Sequence, residues 1–241
     1  MKKIILLAMA LCLVCTGAMA QKKNAKPAKT APKTVTLQST ANAVSPKMEE
    51  ETKIIDLPEV MGMDMPLIEC LKQRRTIRDL RDEEIPQEMI SSLLWSAYGF
   101  NREDEGKRVV PSAVNMQEFD IYLFTRDGVY LYEAEKNHLV LVLSDDHRQE
   151  ISSQKHFAMA PVSILIVANY DRMGVFQKDK ETRDFYAAVD CGYVSQNIYL
   201  FCASHDLGTV ACGGIDRDTL HKLLGITNGK ALLAHPVGMH N

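Results

Sequence analysis

Pro161 opens the run Val162-Ser163-Ile164-Leu165-Ile166-Val167-Ala168, which is apolar at all but one position and does not alternate. It has the length of a strand, and a strand apolar on both faces is one that other layers cover on both sides. The rest of the fold must therefore supply helices or sheet for two faces of a central sheet.

Helical spacing supplies them. Leu67, Ile68 and Leu71 begin a stripe that the spacing carries into Arg74-Arg75-Thr76-Ile77-Arg78. Pro86 suits a first helical turn, and Ile90, Leu93, Leu94 and Ala97 at i, i+3, i+4 and i+7 predict an apolar helix face ending near Gly99. Asn101–Arg108 reads as a charged loop. Phe119–Thr125 alternates, Asp127-Gly128 is a hairpin turn, and Val129–Tyr132 returns. Ser144 predicts a cap for a short helix through Ile151. Lys180–His205 supports one long helix, with Phe185, Ala188, Val189, Gly192, Gln196, Tyr199 and Ala203 along one face and Gly208 at its stop. The small residues of that face, with Ser195, allow close approach by another helix. Asp216 predicts the cap of a last helix with Leu220, Leu223 and Leu224 inside, and Ala231–Val237 a final strand. Together these elements predict a mixed α+β layer structure without internal repeats.

The ends differ from this body. Lys2 and Lys3, the apolar run Ile4–Val14 and the small-x-small Ala18-Met19-Ala20 predict a signal peptide over residues 1–20, cleaved before Gln21. The apolar run is shorter than the roughly 20 residues that span a bilayer, so export to the periplasm or another extracytoplasmic space is expected and a membrane span is not. Residues 21–58, rich in Lys, Ala, Pro, Thr and Ser, read as a flexible linker, and the folded domain as residues 59–241. With Lys2 and Lys3 unopposed in the first segment, and seven lysines against Glu49, Glu50, Glu51 and Asp56 in the second, the body carries −8 within an overall net charge of −3. So acidic a body does not suit nucleic-acid phosphates. Two of the six cysteines fall within the first 20 residues; Cys70, Cys191, Cys202 and Cys212 remain. Cys191 and Cys202 share one predicted helix roughly 16 Å apart, beyond disulfide reach. No CxxC or paired-His spacing supports a metal site.

Three segments hold candidate chemistry. Arg74, Arg75, Arg78 and Arg81 crowd into eight residues of an acidic domain. At helical spacing Arg74, Arg78 and Arg81 share a face, where like charges repel, and with the Thr76 hydroxyl they suit a phosphate. A solvated face paired with Asp79, Asp82, Glu83 and Glu84 is the other reading. Pro111-Ser112-Ala113-Val114-Asn115-Met116-Gln117 offers the donors and acceptors that a planar heterocycle needs, or else is an ordinary turn. Leu207-Gly208-Thr209-Val210-Ala211-Cys212-Gly213-Gly214 lets a flat ligand lie against backbone, or else is a connector.

In this order the three segments resemble the nitroreductase family of flavin enzymes, over about residues 66–241. Arg74-Arg75-Thr76-Ile77-Arg78 is similar to its RRSxR phosphate-binding start, and Pro111–Gln117 to its PSxxNxQ segment, whose Asn contacts the flavin. Asp190-Cys191-Gly192 and Leu207-Gly208-Thr209 are similar to its D-x-G…GLGT stretch, and Leu232–Gly238 to its closing strand. The resemblance implies a three-layer α/β/α sandwich with a mainly antiparallel central sheet, in an intertwined homodimer, with bound FMN. It implies hydride transfer through the flavin to a small organic acceptor, from a donor it leaves open. Arg74, Arg75, Thr76 and Arg78 then hold the phosphate, and Asn115, Gln117, Gly213 and Gly214 the ring; no side chain is singled out as catalytic. Two departures stand out: Glu118-Phe119 replaces a frequent Pro-Trp, and the chain stops at Asn241 without the Arg or Lys that often completes the phosphate grip. The grip is therefore expected to rest on Arg74, Thr76 and Arg78. An azoline-type flavin oxidase acting on peptides and a non-catalytic flavin-binding protein share the same resemblance.

Overall fold

The computed structural model describes residues 53–62 and 64–241. The expected signal segment, and the linker as far as residue 52, lie outside the described residues.

A short edge strand, β1 (Ile54–Asp56), opens the folded body, so residues 54–56 belong to the sheet and not to a linker ending at 58. Two adjacent isoleucines are too brief for a periodic signal. Helix α1 (Leu67–Gln73) ends where Arg74 turns extended, at φ −52° and ψ 118°. Strand β2 (Leu80–Arg81) is followed by α2 (Gln87–Tyr98), whose N-cap is Pro86. Its predicted stripe is buried at Leu93, Leu94 and Ala97. Asn101–Arg108 is no open loop but lies in a small hairpin of β3 (Phe100–Arg102) and β4 (Lys107–Arg108), turned at Gly106, whose φ of 61° favours glycine.

The predicted hairpin is β5 (Phe119–Phe124) and β6 (Gly128–Glu133), and β7 (His138–Ser144) extends it. Ser144 thus ends a strand instead of capping a helix; α3 (Arg148–Ile151) starts from His147, and α4 (Lys155–Met159) follows. The apolar run forms β8 (Val162–Asn169). Asp179 caps α5 (Lys180–Ser204) by accepting from the Glu181 and Thr182 amides. Strand β9 (Gly208–Thr209) leads to α6 (Arg217–Leu223), capped by Asp216, and to β10 (Gly229–His240).

The main sheet is antiparallel, in the order β1-β7-β6-β5-β8-β10-β2, with β9 also paired to β10. β8 lies inside it, and its residues divide by parity. Val162, Ile164, Ile166 and Ala168 join a core with α2 and α5; Leu165 and Val167 join a second core with α3, α4 and α6. Leaving either row uncovered would forfeit about 1.5–3 kcal/mol for each large side chain. Three layers result, α/β/α, as a run apolar on both faces requires. Among the described residues no helix is long and apolar enough to cross a membrane.

Helix α5 turns a different face inward from the one with small residues. Ala187, Asp190, Cys191, Val194, Ser195, Ile198, Phe201 and Cys202 are buried, while Phe185, Ala188, Val189, Gly192, Tyr193 and Gln196 are exposed. Ser195 is therefore a core residue and no part of the surface face. The helix ends at Ser204 and the chain turns away at Asp206, in the left-handed region at φ 54°, and Gly208 serves a different need. A Cβ there would sit 2.5 Å from Leu80 and 2.9 Å from Ile77, so glycine lets residues 77–80 close onto β9. The four described cysteines are free and buried.

Candidate functional site

The basic segment is extended, which removes the expected shared helical face of Arg74, Arg78 and Arg81. After the Arg74 amide donates to the Cys70 carbonyl at 2.8 Å, the helix ends, and the Ile77 amide donates to the Thr209 carbonyl at 2.9 Å. A partner 132 residues away overrides local helical spacing. Arg81 enters β2 and pairs with Glu83 at 3.2 Å, while Asp82 is taken by Arg126 and Arg148. Among the described residues Arg74, Arg75 and Arg78 have no carboxylate within 4 Å. The solvated, internally paired face is thus not what forms.

Tyr199, on α5, organises this end, and the sequence reading assigned it no function. The Ala211 amide donates to its hydroxyl at 2.9 Å, and the same hydroxyl shares a hydrogen bond with Thr76 Oγ1, also at 2.9 Å. The Arg74 guanidinium lies 5.1 Å over the same ring. Behind Tyr199, His235 meets the ring edge-on at 5.4 Å and is fully buried. Both its nitrogens face hydroxyls, Nε2 on Ser195 at 2.9 Å and Nδ1 on Thr209 at 3.2 Å, and burial lowers its pKa to about 3. A neutral ring at this position buttresses the tyrosine without adding charge. A cavity of about 310 Å³ opens beside Arg74 and Arg75, lined also by Ile77, Tyr199, Leu207 and His240.

The Gly213-Gly214 backbone adjoins the same end. Ala211, two residues earlier, is the one bonded to Tyr199, and the Arg78 charge acts on His156 and Cys212. Cys212 Sγ lies 3.3 Å from His156 Nε2, with burial raising the thiol and lowering the imidazole. The Gly214 carbonyl accepts from Ser152 Oγ at 2.9 Å and from Gln154 Nε2 at 3.0 Å. Both glycines are exposed. A Cβ on Gly213 would meet nothing closer than Leu233 at 3.7 Å, and one on Gly214 would meet Gln154 at 3.1 Å. The fold alone does not demand glycine at 213.

Asn115 and Gln117 lie elsewhere, at the Ser112–Gln117 turn. Asp190 of α5 accepts the Ala113 amide at 2.7 Å, and Ser112 Oγ accepts the Gln117 amide at 3.0 Å. Between them Val114, Asn115 and Gln117 take φ of 49°, 58° and 50°, an arrangement that persists only when surroundings enforce it. The Gln117 amide is engaged within the chain. It accepts from Arg108 Nε at 2.9 Å and donates to the Gly106 carbonyl at 2.7 Å and to Asn115 Oδ1 at 3.3 Å. Arg108 is in turn clamped between the Tyr98 and Phe100 rings at 4.0 and 4.1 Å. Gln117 therefore orients Asn115, which is exposed. Among the described residues no hydrogen bond joins this turn to Arg74–Arg78 or to Gly213-Gly214. Asp190 and Tyr199, which anchor the two groups, are about 13 Å apart along α5 at 1.5 Å per residue.

The three-layer fold, the basic segment and the asparagine turn converge with a direct comparison: the profile of the nitroreductase family matches residues 71–239. The chain belongs to the nitroreductase family. A nitroreductase-type protein of Methanocaldococcus jannaschii is 31% identical over 198 residues, covering 78% of this chain and 97% of that protein. A crystal structure of a nitroreductase-type protein from Ralstonia eutropha superposes with a TM-score of 0.73 at 30% identity, covering 78% of this chain and 90% of the other. The Vibrio harveyi NADPH:FMN oxidoreductase, solved with NAD+, shares the fold at a TM-score of 0.52 and 21% identity, covering 73% of this chain and 69% of the other. As a nitroreductase-family member the chain is an oxidoreductase of the flavin type.

Proposed function

We propose that this nitroreductase-family protein is an FMN-dependent oxidoreductase that passes hydride through its flavin to a small organic acceptor. The observation that carries this reading is the set of three guanidiniums, Arg74, Arg75 and Arg78, left without carboxylate partners among the described residues in a body of net charge −8. Arg74 and Arg75 line one cavity, the Arg78 charge reaches Cys212 beside Gly213, and cations left without carboxylates favour an anion such as a phosphate. The chain's other groups fit the same ligand. Thr76 presents its hydroxyl beside Arg74, the Gly213 position is exposed and would seat a Cβ without a clash, and Asn115 presents its amide at the surface.

Bound FMN would supply the hydride acceptor and donor. Arg74, Arg75, Thr76 and Arg78 would hold its phosphate, and Asn115 with the Gly213-Gly214 backbone its ring, while Gln117 keeps Asn115 oriented. Donors aimed at a ring that gains negative charge on reduction favour the reduced form. Among the described residues no hydrogen bond joins the turn to the basic segment, and a second copy is proposed to bring the two together. Leu67, Ile68 and Leu71 on α1, and Phe185, Val189 and Tyr193 on α5, are exposed large apolar residues. A homodimer that covers them would bring one chain's asparagine turn to the other's phosphate grip. Export with cleavage before Gln21 completes the proposal, supported by the order of Lys2-Lys3, the apolar run and Ala18-Met19-Ala20; N-terminal sequencing of cell-envelope protein tests it.

The decisive experiment is a visible absorbance spectrum of purified protein supplied with FMN, followed by reduction and turnover with an organic acceptor. A protein with no flavin bands and no FMN binding defeats the proposal. Flavin that binds but never turns over leaves only a binding protein.

A further inference from the structure

Beneath the Ser112–Gln117 turn lies a carboxyl pair that the proposed function does not use. Glu118 follows the turn and is fully buried, with 0% exposure, and Asp190 on the inner face of α5 is 3% exposed. Asp190 has a task, since it accepts the Ala113 amide at 2.7 Å. Glu118 has none. Among the described residues no N–H or hydroxyl donor reaches either of its carboxyl oxygens, and the side chain they meet is the Asp190 carboxyl; its backbone carbonyl accepts the Asn169 amide at 2.8 Å. An unpaired carboxylate in such a place is strongly disfavoured, and a neutral acid is the alternative.

The charged and titratable groups around it narrow the choice. From α5 come Asp190 and Cys191, from α2 the Tyr98 hydroxyl, and from the turn after β8 the Arg172 guanidinium. Arg172 is already engaged, donating to the Phe119 carbonyl at 3.0 Å and to the Asp120 carboxylate. Burial pushes Cys191 up to about 12 and Tyr98 higher still, so both keep their protons. For Glu118, burial first and then the Asp190 charge push the carboxyl up to about 7. Burial also raises Asp190, against the lowering effect of the Ala113 amide.

Building on the flavin reading above, we propose that Glu118 is a positioning residue that shares one proton with Asp190 and so holds the Ser112–Gln117 turn in shape. The shared proton lets the two carboxyls lie together while Asp190 still accepts from Ala113. When that proton leaves for solvent, two anions face each other in a water-poor core. Separation or hydration of the pair then pulls Asp190 off Ala113, and the turn relaxes from the left-handed conformations of Val114, Asn115 and Gln117. The ring-holding asparagine is thereby made dependent on pH through a residue that never touches the ring.

The test compares wild type with Glu118→Gln, whose amide donates permanently to Asp190, and with Asp190→Asn, which places the neutral partner on the other side. FMN affinity, thermal unfolding of the flavin-free protein and amide exchange at Ala113–Gln117, corrected for intrinsic rate, are followed from about pH 5 to 9. Wild-type affinity is expected to fall by about tenfold between pH 6 and 8.5, the equivalent of one pKa unit of differential binding. Exchange at Ala113–Gln117 should accelerate over the same range, and both responses should flatten in Glu118→Gln. The sign for stability follows from a raised carboxyl: its unfavourable contribution begins near the unfolded value of about 4.3 and levels off above the folded value. Wild-type melting temperature should therefore decline relative to Glu118→Gln between those limits.

A wild-type profile as flat as that of Glu118→Gln overturns the proposal. So does a melting temperature that responds to pH while exchange at the turn does not, since Glu118 would then affect stability alone. If no variant binds FMN, the flavin reading fails, and exchange at the turn in flavin-free protein still decides this one. If Glu118→Gln does not fold, Asp190→Asn carries the same expectation.

Discussion

Tyr199 and Asp190 stand on one helix, and the residues gathered around them are held in different ways. Around Tyr199, Thr76, Arg75 and Arg78 are exposed and Arg74 half-buried, and among the described residues no carboxylate fixes the three guanidiniums. Around Asp190, three residues with positive φ are locked by an amide-to-carboxylate bond, a serine hydroxyl and a clamped arginine. The first group relies on charge, which acts at a distance and tolerates loose side chains. The second relies on shape, which fails if the backbone moves. A site that grips a phosphate and orients a ring needs both.

Removing the charge gives the largest expected effect. Arg74→Ala with Arg78→Ala should weaken FMN binding by about 3–6 kcal/mol, roughly a hundredfold to ten-thousandfold, at an unchanged melting temperature. Calorimetric titration beside thermal melting checks this, and a loss of stability with intact affinity would reverse the roles of the two groups. The buttress behind Tyr199 comes next. Because burial holds His235 at a pKa of about 3, the unfolded chain binds a proton that the folded one refuses, so stability is lost as pH falls from about 6.5 toward 3. The slope should reach about 1.4 kcal/mol per pH unit, and His235→Gln should remove it in urea unfolding series at stepped pH.

Tyr199→Phe deletes the hydroxyl shared by Thr76 and Ala211, with an expected loss of about 1–2 kcal/mol in denaturant unfolding. Weaker FMN binding should accompany it if Thr76 is part of the grip. The turn should answer in the opposite sense. Val114 is 75% exposed at φ 49°, so Val114→Gly should be neutral or raise stability by about 0.5–1 kcal/mol. Ring orientation, read by flavin circular dichroism, should nevertheless deteriorate. The smallest effect on the fold is expected for Gly213→Ala, within about 0.5 kcal/mol, since its methyl group meets only Leu233 at 3.7 Å. Any loss of flavin in that variant reports the ring's approach and not a damaged fold.

Legibility in the sequence follows the range of the interactions involved. Helix α2, the β5–β6 hairpin and strand β8 are readable because their apolar periods and turn residues lie within a few positions of one another. The extended course of Arg74–Asp79 is not readable, because Thr209 and the bare Gly208 set it from across the sheet. The order of site segments along the chain reveals the family, yet not that Gln117 works inside the protein or that Tyr199 joins two segments. Glu118 is visible as a departure from the family pattern, but its isolation depends on α2 and α5 closing over β5. Ser195 has the size for a helix contact on the surface, and only its bond to His235 assigns it to the core.

Strand β10 pairs with β8 through residues 229–237 and reaches β9 and β2 with residues 237–240. During synthesis β8 therefore appears with β5 along one side and nothing along the other until roughly 60 more residues have been added, which takes about 3–12 s at 5–20 residues per second. Over that interval Ile164, Leu165, Ile166 and Val167 form a bare, uncharged strand edge, the kind of segment that pairs with other chains. The nascent protein is thus most prone to aggregate after its central strand has left the ribosome and before residue 229 has. A holding chaperone acting in that window would raise yield without altering the finished fold.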